Sequence, residues 1–443
     1  MAVERRGDII EGEAFSQPLR REERRASPKA FAIPKRAVVE AWQRGKANRG
    51  AAGIEGESLA VFEQQLRRNL YRVWTRLVSG SYFPPPVKEV EIPKASGGVR
   101  PLGIPTVGDR VAQTVAKMAL EPQLDPHFDP DSYGYRPGKS AKGAVAVTRQ
   151  RCWQYDWVVE FDIKGAFDNL DHELLRKAVR KHTECRWIVL YVDRWLQAPT
   201  VTAAGERKAR QRGTPQGGVL GPLLLNLFLH YAFDRWLRRE FPTCPFARYA
   251  DDGIVHCHTE RQAQEVQQRL TTRLRECGLE LHPDKTRIVY CKDSNRGGDY
   301  PAIQFTFLGF TFRPRRARNR AGKLFTSFLP GASGPAQKRM RQQIAQWHLP
   351  RQTTESLRTF STRYKAILAG WWQYYGSFYP TEVWKVFRHF DLTLAWWARR
   401  KDKALRGHKH RSRRWLAKVA RQERELFVHW RLWYGTDSVR GAV

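Results

Sequence analysis

The sequence predicts an α+β body followed by a separate α-helical domain. Over residues 31–312, helical periodicity alternates with short β-prone runs, which is typical of α/β and α+β folds. Residues 336–433 show only helical periodicity and hold nine of the sixteen tryptophans. Between them, residues 313–335 are arginine-rich and glycine-containing, so we expect a basic linker there. We expect mobile tails at residues 1–30 and 434–443.

The overall charge predicts a polyanionic partner. The 443 residues carry a formal net charge of +34, far more than solubility requires. No apolar run reaches the roughly 18 residues of a membrane span, and the amino terminus lacks a signal-peptide core, so no membrane partner is expected. The six cysteines form no Cys-x-x-Cys pair, which argues against a zinc finger. We therefore expect a cytoplasmic protein that binds nucleic acid.

The most informative motif is Tyr-Ala-Asp-Asp at residues 249–252. Short β-prone runs precede and follow it, so the motif is predicted to be the turn of a β-hairpin. Asp251 and Asp252 would then lie side by side, where their charges repel unless a cation binds to both. Alone the motif is weak evidence, because Asp-Gly turns are common.

A third carboxylate is expected beside this hairpin. Residues 157–161 are β-prone and end at Asp162, and Asp171 is placed to cap the next helix. Three such carboxylates can bind two Mg²⁺ ions about 3.5–4 Å apart, as phosphoryl-transfer enzymes do. One ion would activate a 3′-hydroxyl and the other would neutralise the leaving pyrophosphate. The alternative is that Asp162 only helps to cap the following helix.

A glycine-rich loop at residues 213–219 precedes an apolar helix predicted from Pro222 to Arg239. Glycines at the start of a helix let backbone amides approach a phosphate or a base pair closely. No Gly-Lys-Ser or Gly-Lys-Thr follows, so the loop is not a P-loop. Gln216 is a candidate to contact a base or sugar edge.

These blocks, in this order and spacing, resemble the catalytic palm of reverse transcriptases. Five further blocks resemble bacterial group II intron-encoded proteins, namely residues 48–56, 97–106, 132–140, 278–286 and 307–310. The resemblance covers about residues 40–430. It implies an α+β right-hand polymerase, with fingers and an antiparallel palm sheet in residues 31–312. An α-helical thumb, or maturase domain, would follow in residues 336–433.

By this resemblance, Asp162, Asp251 and Asp252 are the catalytic, metal-binding triad, with Mg²⁺ as cofactor and Mn²⁺ as a possible substitute. Phe167 takes the steric-gate position, where its ring would exclude a ribose 2′-hydroxyl; the alternative is that it is only a core residue. The other expected nucleotide contacts are Lys94, Arg100, Gln216 and Lys285. For the first two, the alternative is a solvated basic face.

The helical domain is expected to contact RNA. Residues 370–376 resemble the aromatic signature of the maturase domain, although we expect at least two of their four aromatic side chains to pack in the core. Residues 399–414 contain nine cations and one acid, which suits contact with RNA phosphates. The expected nucleic-acid contacts are Arg136, Arg399, Arg400, Lys401, Arg411, Arg413 and Arg414.

The resemblance implies RNA-directed DNA synthesis within a group II intron ribonucleoprotein. The protein would assist splicing as a maturase and copy the intron RNA by target-primed reverse transcription during retrohoming. Its partners would be intron RNA, an RNA template, a DNA primer or target, and deoxynucleotides, in a bacterial cytoplasm and at the nucleoid when target DNA is bound. Gly221 replaces the serine that usually precedes proline in this family, and we expect no His-Asn-His endonuclease.

Two alternatives stay open at this point. The first is a free-standing group II-like reverse transcriptase that serves host defence, repair or CRISPR adaptation, which the catalytic motifs do not distinguish. The second is an RNA-binding splicing factor with an idle polymerase site. The intact Tyr-Ala-Asp-Asp motif argues against the second, and the resemblance of the helical domain favours the intron setting.

Overall fold

The computed structural model describes most of the chain, namely residues 30–48, 50–93, 98–319 and 321–434. Within these ranges it is an α+β protein, as expected, with three β-sheets. The two predicted tails fall outside the described residues except for Ala30 and Tyr434. No helix in the described ranges combines the length and apolar character that a bilayer span needs.

Helices account for most of the regular structure. In chain order they are α1 (Lys35–Ala47), α2 (Leu59–Gln64), α3 (Leu66–Ser79), α4 (Val107–Leu124), α5 (Ala141–Arg151), α6 (Ala166–Asn169), α7 (His172–His182), α8 (Arg186–Gln197), α9 (Gly221–Leu229), α10 (Arg235–Glu240), α11 (Glu260–Glu276), α12 (Gly334–Gln346), α13 (Leu357–Tyr375), α14 (Pro380–Lys401), α15 (Lys409–Gln422) and α16 (Val428–Tyr434). The strands are β1 (Val87–Pro93), β2 (Val99–Ile104), β3 (Trp157–Asp162), β4 (Thr200–Val201), β5 (Arg207–Lys208), β6 (Phe246–Tyr249), β7 (Asp252–Cys257), β8 (Arg287–Tyr290), β9 (Phe305–Phe307), β10 (Phe310–Arg318) and β11 (Leu324–Ala332).

The first sheet, in the order β2-β1-β4-β5, is built on an antiparallel hairpin of β1 and β2. The helices α1, α3 and α4 pack together in the same part of the chain. Asp109 of α4 is buried there and accepts hydrogen bonds of 2.8 Å from Tyr82, Gln113 and Trp195. A buried carboxylate needs such donors to replace water, so these bonds fix α4 against its neighbours.

The second sheet, in the order β6-β7-β3-β8, is antiparallel throughout and positions the candidate site. Residues 157–161 are all buried, and four of the five are apolar; the exception, Glu160, pairs with Arg287. The predicted helix from Pro222 to Arg239 is present but interrupted, because the π-helical segment His230–Asp234 separates α9 from α10. Asp171 caps α7 as expected, accepting from the backbone of Leu174 at 2.8 Å.

The prediction of a basic linker over residues 313–335 is wrong. β9, β10 and β11 form a three-stranded antiparallel sheet, in which Phe310 and Phe312 are buried. The side chain of Arg315 is also buried, because it pairs with Glu382 of α14 at 2.6 Å. Arg313, Arg316 and Arg318 of the same strand are exposed, so the high arginine content concealed a strand. Arg320 lies outside the described residues.

The carboxyl-terminal helices α12 to α16 enclose a second apolar core, which includes Phe360, Phe390 and Trp430. This part joins the third sheet through Tyr374, whose hydroxyl donates to the Leu308 carbonyl at 2.9 Å. The four aromatic residues of the 370–376 block are all partly buried against apolar clusters. The expectation that at least two of them serve helix packing is therefore confirmed.

Candidate active site and nucleic-acid surface

Three carboxylates meet at one edge of the second sheet. β3 ends at Asp162 and β7 begins at Asp252, and these two residues lie directly opposite each other in the antiparallel register. Tyr249 pairs with Asp252 to close the predicted hairpin, so Ala250 and Asp251 form its two-residue loop. The backbone thus brings together the three aspartates that the sequence singled out.

Burial and mutual repulsion raise the pKa values of these carboxyls. Burial raises the pKa of Asp252 well above its ordinary value of 3.8, and the negative charges of Asp162, Glu160 and Asp251 raise it further. Burial also raises the pKa of Asp251, with a further contribution from Asp162. A bound cation would relieve this repulsion, and carboxylate oxygens are the ligands that Mg²⁺ and Mn²⁺ prefer. The donor set therefore fits a divalent metal.

Lys285 contacts the site directly. Its Nζ atom lies 2.8 Å from Oδ2 of Asp162, and it stands in the 3₁₀ turn before β8. Among the residues described, no three His, Cys, Asp or Glu side chains stand as a ready-made metal-binding group. Metal binding thus requires the carboxylates to turn toward a common centre, and the Asp162–Lys285 ion pair to rearrange. The resemblance predicted that Lys285 contacts the nucleotide; in the structure it contacts Asp162, and the nucleotide contact stays a prediction.

Arg248 supports the hairpin from below and was missed by the sequence reasoning. It is fully buried and forms an ion pair of 2.7 Å with Asp234, which is also fully buried. It donates to the Ala250 carbonyl at 2.9 Å, to Ser132 at 2.8 Å and to Asn226 at 3.1 Å. Ala250 has a φ of 57°, a left-handed conformation that costs a non-glycine residue about 1–2 kcal/mol. The hydrogen bond to its carbonyl helps to hold that conformation.

Gln216 links the glycine-rich loop to α6 on one side and to β2 on the other. Its amide nitrogen donates to Asp168 at 2.8 Å, and its side-chain oxygen accepts from Arg100. Its backbone carbonyl accepts from Gly103 of β2 at 2.6 Å. The loop itself is held by Gln113, whose side-chain oxygen accepts from Val219 at 2.8 Å. Gln216 and Arg100 thus lie together, and their contact with a nucleotide stays a prediction.

Phe167 lies in α6 with only 7% of its surface exposed. Its carbonyl accepts from Thr214 at 2.7 Å, and Gly213 packs so closely that a Cβ there would lie 2.4 Å from the Asp168 carbonyl. A Cβ on Gly221 would come within 2.9 Å of Thr214 and 3.6 Å of the Phe167 ring, so the departure from serine suits this packing. The steric-gate role stays a prediction.

Two further residues border the site without having been predicted. Arg210 is partly buried near Asp168, and its Nε has no hydrogen-bond partner in the described structure. Tyr135 is 50% exposed and has a φ of 57°, and the charge of Asp251 contributes to raising the pKa of its hydroxyl. The signal for Tyr135 was its place in the block at residues 132–140. Arg210 gave no sequence signal beyond its charge.

Two of the expected contact residues are not found at the site for different reasons, one because it is not described and one because its side chain contacts its own chain. Lys94 lies outside the described residues. Arg136 was expected to contact nucleic acid, but its side chain is 6% exposed and faces its own chain. It pairs with Asp125 at 2.7 Å and donates to the carbonyls of Asp129 and Ser132 at 2.6 and 2.9 Å. The expectation for Arg136 is therefore wrong, because those acceptors take up its donors.

The helical domain carries a basic groove, which we call the thumb groove. It has a volume of about 710 Å³, and among the described residues its lining contains no carboxylate. Trp396, which is 51% exposed, lies in it. Its cations are Arg351, Arg399, Arg400, Lys409 and Arg413. Exposed cations beside an exposed aromatic ring suit a strand of RNA.

The remaining three predicted cations of this domain differ in their surroundings. Arg411 and Arg414 are exposed on α15. Lys401 instead donates to the Glu355 carbonyl at 2.6 Å and lies over the ring of Trp397. It therefore connects the end of α14 to the segment that precedes α13.

Two family matches cover separate parts of the chain. Residues 92–312 match the family described as reverse transcriptase (RNA-dependent DNA polymerase). Residues 337–415 match the family described as group II intron, maturase-specific domain.

Individual relatives agree with these matches. Protein YkfC of Escherichia coli K12 is 30% identical over 310 residues, which is 61% of this chain and 78% of that protein. Group II intron-encoded protein LtrA of Lactococcus lactis is 27% identical over 374 residues, which is 69% of this chain and 60% of that protein. A putative COX1/OXI3 intron 1 protein of Saccharomyces cerevisiae is 28% identical over 182 residues, 41% of this chain and 22% of that protein.

Proposed function

This chain belongs to the family of group II intron-encoded reverse transcriptases, and from that premise we propose that it is the RNA-directed DNA polymerase of a group II intron ribonucleoprotein. The observation that carries the proposal is the pairing of Asp162 with Asp252 across β3 and β7, beside the Tyr-Ala-Asp-Asp loop. That arrangement occurs in the same chain as a maturase-specific domain. One protein can thus act on intron RNA and copy it.

We assign the polymerase chemistry to the palm edge. Asp162, Asp251 and Asp252 would hold divalent cations, which when bound activate the primer 3′-hydroxyl and offset phosphate charge. We assign Mg²⁺ as the physiological ion and expect Mn²⁺ to substitute. Lys285 lies within hydrogen-bond distance of Asp162, so it can offset negative charge where the pyrophosphate leaves.

Nucleotide selection would fall to the residues around the glycine-rich loop. The Phe167 ring packs beside Gly221, where it can limit the space for a ribose 2′-hydroxyl. Arg100 is exposed and bonded to Gln216, so a triphosphate can reach its guanidinium, whose planar fork suits phosphate oxygens. Gln216 then couples the nucleotide to Asp168 of α6.

Intron recognition would use the thumb groove and the exposed cations of α15. The groove cations can contact RNA phosphates, while Trp396 offers a ring on which an unpaired base can stack. Bound in this way, the protein would assist splicing and then copy the intron RNA from a nick in target DNA. The similarity to LtrA of Lactococcus lactis, a group II intron-encoded protein, supports this setting.

The test is to measure two activities of the full chain side by side. Primer extension on an RNA template with Mg²⁺ measures the polymerase, and stimulation of group II intron self-splicing measures the maturase. We expect both activities. Splicing stimulation without extension would identify a splicing factor with an idle polymerase site. Extension without splicing stimulation or preferential binding of intron RNA would identify a free-standing enzyme.

A further inference from the structure

A second basic cavity lies apart from the residues of the polymerase site. It has a volume of about 940 Å³, and its walls include the end of α7, the π-helical segment and α10. Five cations line it, namely Lys181, Arg235, Arg238, Arg239 and Arg273. Its lining includes one carboxylate, Asp129, which is already paired with Arg238 at 2.8 Å. The cavity therefore presents a net positive charge to a ligand.

Lys181 and Arg235 are the cations most available to an anion. Both are exposed, and within the described ranges neither forms an ion pair with a carboxylate. Arg239 and Arg273, by contrast, lie 2.7 Å from Glu240 and 3.4 Å from Glu276. A phosphate entering the cavity would thus find two cations whose charge is not already offset.

His182 and His230 also line the cavity. Burial, together with the charges of Arg235 and His182, lowers the pKa of His230 to about 4. Burial also lowers the pKa of His182, with contributions from His127 and Lys181. The Nδ1 atom of His230, a residue only 5% exposed, has no hydrogen-bond partner in the described structure. The two imidazoles and the cations thus face one cavity.

An apolar slot adjoins the basic cavity. Its volume is about 290 Å³, and it shares Lys181, Tyr231 and Arg273 with the larger cavity. Its other walls include Leu174 and Phe228, and Leu174 is 39% exposed. The hydroxyl of Tyr231 is bonded to His182 at 2.7 Å, which fixes the ring between slot and cavity. An apolar slot beside a basic cavity matches the base and phosphate of one nucleotide.

The backbone around Tyr231 is unusual. The segment His230–Asp234 is π-helical, and such segments occur frequently at functional sites. Its first two residues line the cavity, whereas its last residue, Asp234, forms the buried ion pair with Arg248 beneath the catalytic hairpin. This short segment thus places His230 and Tyr231 at the cavity and Asp234 beneath the hairpin.

We propose that this cavity and its slot bind a nucleotide of a single-stranded RNA segment other than the strand in the polymerase cleft. Its phosphate lies between Lys181 and Arg235, and its base enters the apolar slot beside Tyr231. The slot favours RNA over an acidic peptide, because a base can pack against apolar walls and a carboxylate side chain cannot. The inference rests on the proposed RNA partner but not on the polymerase activity.

The test uses the full chain with its cleft already filled by an RNA template and DNA primer. A labelled oligouridylate of roughly 12 nucleotides is then titrated in a salt series and its anisotropy measured. Lys181→Gln with Arg235→Gln should weaken its binding about tenfold and lower the slope of log affinity against log salt by about 1.4. Primer extension in the same samples should stay within about twofold of wild type.

The matched control is Arg180→Gln with Arg261→Gln, which removes two exposed cations from α7 and α11 outside the cavity. The control should bind oligouridylate like wild type. The proposal is overturned if both double variants lose affinity equally, or if the filled wild-type enzyme binds no second RNA. It is also overturned if oligoglutamate displaces the RNA as well as unlabelled oligouridylate does.

Tyr231→Leu separates base recognition from phosphate attraction. Removing the ring should weaken oligouridylate binding several-fold, since stacking contributes about 1–3 kcal/mol per base. The salt slope should be unchanged, because no cation is lost. Wild-type affinity in a variant that melts like wild type would contradict the base slot. Failure of primer extension in every sample, wild type included, would instead count against the proposed polymerase function.

Discussion

Arg248 donates a hydrogen bond of 2.9 Å to the carbonyl oxygen of Ala250, in the two-residue loop that also contains Asp251. The same guanidinium is paired with Asp234, and neither side chain is exposed. Removing one partner of a buried ion pair typically costs about 3–5 kcal/mol, because the other charge stays buried and unpaired. The position of Asp251 thus depends on the hydrogen bond from the buried Arg248 side chain to the carbonyl of the preceding residue.

Arg248→Lys tests this dependence. Lysine keeps the charge but cannot make the bidentate contact with Asp234 and also reach Ala250. We expect kcat for primer extension to fall about 100-fold with KM little changed, because a shift of about 1 Å at the loop misplaces the reacting groups. Single-turnover extension measures this. Arg296→Lys, which alters a partly buried arginine paired with Asp293, is the control.

The outcome separates positioning from folding. If Arg248 only stabilises the fold, the variant will melt at lower temperature while its folded fraction extends primers at the wild-type rate. That result would contradict the positioning role.

Phe167→Ala should raise the use of ribonucleotides relative to deoxynucleotides. Removal of the ring opens space beside the sugar, and the loss of such a contact changes discrimination by roughly tenfold or more. The ratio of kcat/KM for the two nucleotide types measures the effect. Leu170→Ala, which removes a fully buried neighbour, should leave the ratio unchanged. If Phe167→Ala also leaves it unchanged, Phe167 is a core residue only.

Asp252→Asn should stabilise the fold at neutral pH in a chelator-containing buffer. Below the ordinary value of 3.8, Asp252 is protonated in both the folded and the unfolded chain, so the substitution changes little. As the pH rises, the unfolded chain releases its proton first, because the folded pKa is raised. Wild type therefore loses stability relative to the variant until the pH passes the folded pKa.

Thermal unfolding over a pH series measures this difference. We expect the variant to melt roughly a few degrees higher at neutral pH. Mg²⁺ should then stabilise wild type more than the variant. Glu184→Gln, which neutralises an exposed carboxylate, should show no such pH dependence. A variant that is less stable than wild type at neutral pH in the chelating buffer would contradict the raised pKa.

Changing Arg411, Arg413 and Arg414 together to glutamine tests the thumb contacts. If all three contact phosphates of intron RNA, the slope of log affinity against log salt should decrease by about two units. Splicing stimulation should fall more than extension on a simple primer–template. Equal loss of both activities would indicate that these arginines contact the primer–template instead. No loss of either activity would indicate that they contact only solvent. Filter binding across a salt series measures the slope.

Local patterns predicted the elements that carry the candidate site. The hairpin at residues 249–252 follows from β-prone runs around a turn, and the strand ending at Asp162 follows from the β-prone residues 157–161. The cap at Asp171 and the apolar helix after Pro222 likewise depend on near neighbours in sequence. Such signals act over a few residues, which is why they could be recognised without the fold.

Contacts between distant segments could not be predicted in this way. Arg315 and Arg136 appeared to be solvent-exposed cations, yet each is buried by partners supplied by the fold. The bond between Lys285 and Asp162 joins a 3₁₀ turn to the end of a distant strand, and Arg248 of β6 pairs with Asp234 of the π-helical segment. From sequence alone a charged side chain is predicted to be exposed, because its buried partner becomes known only with the fold.

Primer extension by Asp251→Asn on an RNA template tests the central claim most directly. The substitution keeps the shape of the side chain but removes its charge, so RNA affinity should change little. We expect the variant to lose DNA synthesis by at least about 1,000-fold with Mg²⁺, because a ligand for the cations is lost. Extension by this variant at the wild-type rate would contradict the assignment of Asp251, and with it the polymerase site at this hairpin.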